Sequence, residues 1–165
     1  MKASTRICST ILLLGLTLPA YADGLLEVKQ TIFGMDCAPC AYGVQQRLKK
    51  LPGITKVDVS LNDGVASIEI APDSAVSLVQ IHDVLVDGGF TPKQAAVTVV
   101  GHLTKDGDRW LLVSGTNRYA LVPPSSGASG WQPDTAVQVQ GEVADPGAGG
   151  ILELKAEKVE AASPR

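Results

Sequence analysis

The heptapeptide "GMDCAPC", Gly34 to Cys40, decides how the rest of this chain is read. Two cysteines with two residues between them can serve a metal ion, a dithiol–disulfide exchange or a structural bridge, and the spacing alone allows all three. The flanking elements narrow the choice. Upstream, "LLEVKQTIF" sets Leu26, Val28 and Ile32 in alternation with polar or opposite-face residues, the period of a strand that runs into the cysteine loop. Downstream, Pro39 suits a first helical turn. Ala41, Val44, Leu48 and Leu51 then recur at spacings of three and four, the apolar stripe of a helix that "LPG" at 51–53 ends. Both sulfurs therefore fall where helix N–H groups and the helix dipole favour the thiolate, the form that grips metal or attacks a disulfide.

Beyond the helix, "ITKVDVSL" and "VASIEI" are period-two runs separated by Asn62-Asp63-Gly64, a tight-turn signal, and so form a hairpin. Asp73 or Ser74 is expected to cap a second helix that carries Leu78, Ile81 and Leu85 on one face and stops at Gly88-Gly89. A strand around Lys93 to Val100 completes the order βαββαβ. Two helices on one face of a four-stranded antiparallel sheet is the ferredoxin-like arrangement, an α+β fold.

The remainder changes texture. "AVTVVGHL", "RWLLVSG", "RYALVP", "AVQVQGEV" and "ILELKAEKVE" read as short strands, divided by the turn-forming "TKDGD", "PPSSGASGWQPD" and "DPGAGG". They predict a small all-β domain over 98–165, after a ferredoxin-like domain over 23–97. The junction lies in the uninterrupted β-prone run "KQAAVTVVGHL", so a stiff connection is expected.

The first residues, "MKASTRICSTILLLGLTLPAYA", join Lys2 and Arg6 to an apolar run from Ile11 to Leu18 and end in Ala20-Tyr21-Ala22. This is the pattern of a secretory signal peptide over 1–22, cleaved after Ala22, and it predicts a periplasmic or secreted protein. No later segment is long and apolar enough to span a membrane. Cleavage leaves 143 of the 165 residues; Lys plus Arg falls from 14 to 12 against 17 acids, and the net charge moves from −3 to −5. Nucleic acid and anionic membranes are poor partners for such a surface, because their binding rests on concentrated positive charge. Cys8 departs with the leader, so Cys37 and Cys40 are the thiols of the mature chain. A bridge between them would close a tiny loop and remove little entropy from the unfolded state, so their purpose is chemical.

At this point the sequence resembles the heavy-metal-associated domain family of metallochaperones, periplasmic mercury-binding proteins and N-terminal domains of metal-transporting ATPases. The family motif GMxCxxC is matched by Gly34, Met35, Cys37 and Cys40 between first strand and first helix. The helix end "LPGI" followed by a V-x-V strand is matched by Leu51, Pro52, Gly53, Ile54, Val57 and Val59, and the last-loop glycine and aromatic by Gly89 and Phe90. The resemblance implies transient binding of one soft ion by Cys37 and Cys40, with hand-over by ligand exchange to a membrane metal transporter or another metal-binding protein, and no enzyme activity. It also implies that Met35 packs beneath the loop and that Phe90 shields the sulfurs or simply fills the core. Two thiolates suit Cu(I) or Hg(II), which are content with two ligands, whereas Zn(II) usually takes four. Asp36 departs from the Thr or Ser common in copper chaperones and resembles the DCxxC form of zinc, cadmium and lead ATPase domains. It is either an accessory hard ligand for a divalent ion or a solvated loop acid.

The rival chemistry is a dithiol–disulfide oxidoreductase, since "CAPC" carries Pro39 before its second cysteine and an oxidising compartment tends to join such thiols. The hairpin at 54–70 argues against the βαβ context that a thioredoxin-like motif expects. His82 and His102 are the only histidines. His82 reads as an ordinary surface or boundary residue; His102 could add a third ligand only if the domain junction folded back over the loop. The C-terminal strands, with Gly101, Gly115 and Gly141, look like a small OB-type barrel, a likeness of pattern. Lys105, Arg109 and Arg118 are too few for a nucleic-acid groove. Trp110 reads as core, and Trp131 as the better candidate for a contact in a partner-docking role.

Overall fold

The computed structural model describes residues 23–147 and 150–162; the expected leader at 1–22 lies outside them. The elements are β1 (Gly24–Phe33), α1 (Ala38–Leu48), β2 (Ile54–Ser60), β3 (Val65–Ile70), α2 (Leu78–Val86), β4 (Thr91–Asp106), β5 (Arg109–Ser114), β6 (Asn117–Val122), β7 (Ala136–Val143) and β8 (Leu152–Ala161). No helix among them is long and apolar enough to cross a membrane.

The first four strands pair antiparallel in the order β2-β3-β1-β4, with α1 and α2 on one face, as the ferredoxin-like reading expects. Val44 and Leu48 of α1 and Leu78, Ile81 and Leu85 of α2 are buried, so both predicted stripes face the sheet. The turn at 61–64 is tied to the end of β1 by the Ile32 N–H, which donates to the Gly64 carbonyl at 2.8 Å.

Two details differ from the sequence expectation. In β1 it is Leu25 that is buried and Leu26 that is half-exposed, because a bulge between Leu25 and Glu27 flips the alternation there. The cap of α2 is Ser77, neither Asp73 nor Ser74: its hydroxyl accepts from the Gln80 N–H at 3.1 Å while Gln80 Oε1 accepts from the Ser77 N–H at 2.9 Å. That reciprocal pair satisfies two helix-start donors at once and outcompetes the earlier acid. Asp73 instead takes a left-handed turn conformation, φ +58°, and Ser74 Oγ accepts from the Val76 N–H at 3.2 Å.

The C-terminal strands close on themselves. β4 pairs with β5, β5 with β6, β6 with β8 in parallel, β8 with β7, and β7 returns to β4. The result is a small closed barrel of five strands, all-β as the texture of the sequence predicted. β4 is common to both halves: residues 95–102 pair with β7 on one edge while β1, and then β5, lines the other. Position 97, where the sequence reading divides the chain, therefore lies inside a continuous strand. One hydrophobic cluster runs from Val28 and Ile68 through Val99 to Leu112, Tyr119 and Leu154.

Barrel closure needs glycine at two interior strand positions. A Cβ on Gly101 would collide with the Val113 carbonyl oxygen, and one on Gly141 with the Lys155 carbonyl oxygen. Backbone cannot yield as a side-chain tip can, so Gly101→Ala is expected to cost about 2 kcal/mol or more in urea unfolding; an unchanged midpoint would show that the strands are not so close.

Burial pushes the Tyr119 hydroxyl from its ordinary 10.0 up to about 12. The folded state thus keeps a proton that the unfolded chain releases above pH 10. This contribution is complete below pH 10 and is lost as the pH rises through about 12, up to about 2.7 kcal/mol in all. Tyr119→Phe should flatten that alkaline decline in a series of melts between pH 9 and 12.

Candidate metal-binding site

Residues 34–37 lead from β1 into α1, and each position has a physical reason. Gly34 has φ +86°, a left-handed conformation that L side chains resist. A Cβ there would meet nothing within 4 Å, so the demand for glycine comes from the backbone alone. Met35, 4 % exposed, drops into the hydrophobic core and pins the loop from below, the packing role that the family resemblance implied. Asp36, Cys37, Ala38 and Pro39 are exposed.

Cys37 is the N-cap of α1, with extended backbone (φ −145°, ψ 154°), and its Sγ accepts a hydrogen bond from the Cys40 N–H at 3.2 Å. Pro39 sits in the first turn, where its missing N–H leaves no helical bond unmade. The Ala41 N–H, the first to bond within the helix, reaches the Cys37 carbonyl at 3.1 Å. A cysteine thus occupies the position that Ser, Thr or Asp usually fills. A negative sulfur there is stabilised by an N–H bond and the helix dipole together.

The two sulfurs are joined as a disulfide, with Cα atoms 5.1 Å apart. They are not equivalent: Cys37 is exposed, whereas Cys40 is half-buried against the core. Phe90, following Gly89 (φ +84°), is half-buried and packs on the same core. Among the described residues, no three His, Cys, Asp or Glu side chains gather in a way that could hold an ion. The donor set of this loop is therefore two sulfurs, with Asp36 as an exposed neighbour.

Neither histidine joins them. His82 lies on α2, its Nδ1 3.2 Å from Asp83 Oδ1 and its ring packed against Gly147 of the β7–β8 connection. His102 sits on β4 beside the start of β1, with Nδ1 3.3 Å from Asp23 Oδ2. The cysteine loop follows the other end of β1, where Phe33 pairs with Thr91. Thr91 and His102 are eleven positions apart along β4, roughly 35 Å at a strand's rise. Trp110 packs against the core as expected, whereas Trp131, the expected contact residue, is half-buried and meets Trp110 edge to face at 5.7 Å, so it is not a free contact residue.

Exposed aromatic surface beside the sulfurs was not singled out from the sequence. Phe33, just before the loop, is 59 % exposed with Lys93 Nζ 5.4 Å from its ring centre, and Tyr42, two residues after Cys40, is 63 % exposed. The signal was present, since Phe33 alternates with the inward Ile32 and must point outward.

The chain has relatives among known proteins. Residues 30–91 match the heavy-metal-associated domain. The copper chaperone CopZ of Staphylococcus aureus is 35 % identical over 57 residues, which are 34 % of this chain and 82 % of that protein. The chain belongs to the heavy-metal-associated domain family. Its structural neighbours include oxidised MerP from Ralstonia metallidurans, at 25 % identity and TM-score 0.39 over 42 % of this chain and 94 % of that one. The yeast copper transporter domain CCC2A is another, at 30 % identity and TM-score 0.38 over 41 % and 90 %.

The two glycines nearest the cysteines should respond oppositely to the same change. Gly34→Ala is expected to lose about 1 kcal/mol in urea unfolding because of its left-handed backbone. Gly43, inside α1 with nothing within 4 Å of an added Cβ, should gain about 0.5 kcal/mol as alanine. Equal effects at both positions would refute the loop conformation.

Proposed function

We propose that this chain is a periplasmic, non-catalytic metal carrier that holds one soft ion, Cu(I), Hg(II) or Zn(II), between Cys37 and Cys40. Release to a membrane metal transporter or to another metal-binding protein, or simple sequestration, completes its role. The observation that carries this reading is the pair of sulfurs placed at the cap and first turn of an exposed helix start, where N–H groups and dipole stabilise thiolates. The kinship with a protein named as a copper chaperone supports it.

Loading begins with reduction. A thiol reductant supplies two electrons and two protons, the bond between the sulfurs breaks, and two thiols result; each then gives up its proton as its sulfur takes the ion. A two-sulfur set favours Cu(I) and Hg(II), and Asp36 is the residue through which a divalent ion such as Zn(II) would gain a further, harder donor. The unequal exposure of the sulfurs gives hand-over a direction: a partner's thiolate reaches the metal from the Cys37 side, and Cys40, packed on the core, lets go last. Met35 and Phe90 support the loop without touching the ion.

The disulfide itself favours a second reading, dithiol–disulfide exchange at the same pair. Anaerobic native mass spectrometry separates the two. The reduced chain from Asp23 onward, offered equimolar Cu(I), Zn(II) and Hg(II), should retain one ion, lost in both Cys37→Ser and Cys40→Ser. Retention of no ion, with rapid return of the disulfide in air and fast exchange with protein disulfides, would replace the carrier by the oxidoreductase.

A further inference from the structure

We infer that removal of residues 1–22 creates a second, harder metal site at the opposite end of β1 from the cysteines, where the new α-amino group and carboxylate of Asp23 and Nδ1 of His102 together hold one Cu(II) ion. The inference rests on the proposed cleavage after Ala22.

The fold brings the two side chains together. Gly24 pairs with Val100, so Asp23 overhangs the point on β4 where β1 ends and β5, from the pair His102–Val113 onward, takes over the same edge. Asp23 Oδ2 and His102 Nδ1 lie 3.3 Å apart. Two ligand atoms each about 2 Å from one ion, at angles between about 90° and 110°, are separated by about 2.9 to 3.3 Å. The pair is thus at ligand spacing.

Asp23 Oδ1 supplies a separate observation. It is shut off from solvent and has no hydrogen-bond partner. A buried carboxylate oxygen left unsatisfied is costly, and a cation bound to that carboxylate relieves it. The imidazole remains reachable, with 42 % of the His102 side chain exposed.

The third donor exists only after cleavage. In the precursor the Asp23 nitrogen is an amide and cannot bind a metal without losing its proton. In the mature chain it is an amine that deprotonates at a pH of about 8, and amine nitrogen and side-chain carboxylate of one residue close a chelate ring on the same ion. Two nitrogens and an oxygen are borderline-to-hard donors that suit Cu(II), which also heads the divalent affinity order. Cu(I) is held poorly by such a set and well by thiolates. The mature chain would therefore offer each oxidation state of copper its own site, at opposite ends of one strand.

The test uses residues 23–165 carrying Cys37→Ser and Cys40→Ser, which removes the thiols that would bind or reduce Cu(II), with copper sulfate titrated against glycine as competitor and followed by electron paramagnetic resonance. One Cu(II) with nitrogen hyperfine structure is expected. His102→Ala, and a chain extended by Ala22 so that the Asp23 nitrogen is again an amide, should each weaken binding by about tenfold or more. The extension leaves every native side chain in place, so its loss of binding cannot come from misfolding. Cu(II) that does not outlast glycine, or that binds equally well in either variant, overturns the inference; so does an exported protein whose measured mass begins at another residue. Because the cysteines are absent, failure here leaves the soft-ion reading standing, and failure of that reading leaves this site to be judged on its own titration.

Discussion

The structure hangs on β4. Its sixteen residues, Thr91 to Asp106, complete the ferredoxin-like sheet with their first part and the barrel with their last, and residues 95–100 are hydrogen-bonded on both edges at once, to β1 and to β7. In a free-standing sheet of order β2-β3-β1-β4 that strand would be an edge, open to unwanted pairing. Here β7 covers it. The two halves consequently share a hydrophobic cluster and a strand rather than a linker, and relative motion between them would require breaking a ladder.

That rigidity sets where the chemistry can occur. The ends of β1 are held apart by the sheet, one leading into the cysteine loop and the other meeting β4 at His102. No group from the barrel can swing over Cys37 and Cys40, so any chemistry at the loop must use the groups it carries. Those groups are unusually well provided for by helix chemistry alone. One orphan N–H donor that a serine or aspartate cap would satisfy, that of Cys40, is met by the Cys37 sulfur, which couples thiolate stability to helix formation. Met35 in the core below and the left-handed Gly34 behind it hold that cap in register.

Much of this could be read along the chain, because it depends on neighbours in sequence. Strand and helix periods, the Asn62-Asp63-Gly64 turn, Pro39 in the first turn and the convergence of Cys37 with Cys40 are all local, and so was the inward place of Met35 once the family motif was in view. The misreadings were local too. Ser77 prevailed over Asp73 and Ser74 because Gln80 could complete a reciprocal cap, and the bulge at Leu25 exchanged which leucine faces inward. The Ser77-Leu78-Val79-Gln80 spacing of that cap was legible in the sequence and neither Asp73 nor Ser74 has its equal; the bulge has no spacing that marks it in advance.

Contacts between residues far apart were decided by the folded sheet alone. Residues 23 and 102 are as far apart in sequence as the two halves of the protein, yet antiparallel pairing of β1 with β4 places them side by side. Trp110 and Trp131 turned to each other, and His82 to Gly147, for the same reason. Periodicity encodes which face of an element is apolar and where it stops; it does not encode register, and register is what brings distant side chains within a few ångströms. The amino-acid order was enough to specify the cysteine loop and its helix. The unbroken β-prone run across 93–103 was also legible; that both of its edges would be paired, and that its junction would leave an aspartate and a histidine 3.3 Å apart, came only with the assembled strands.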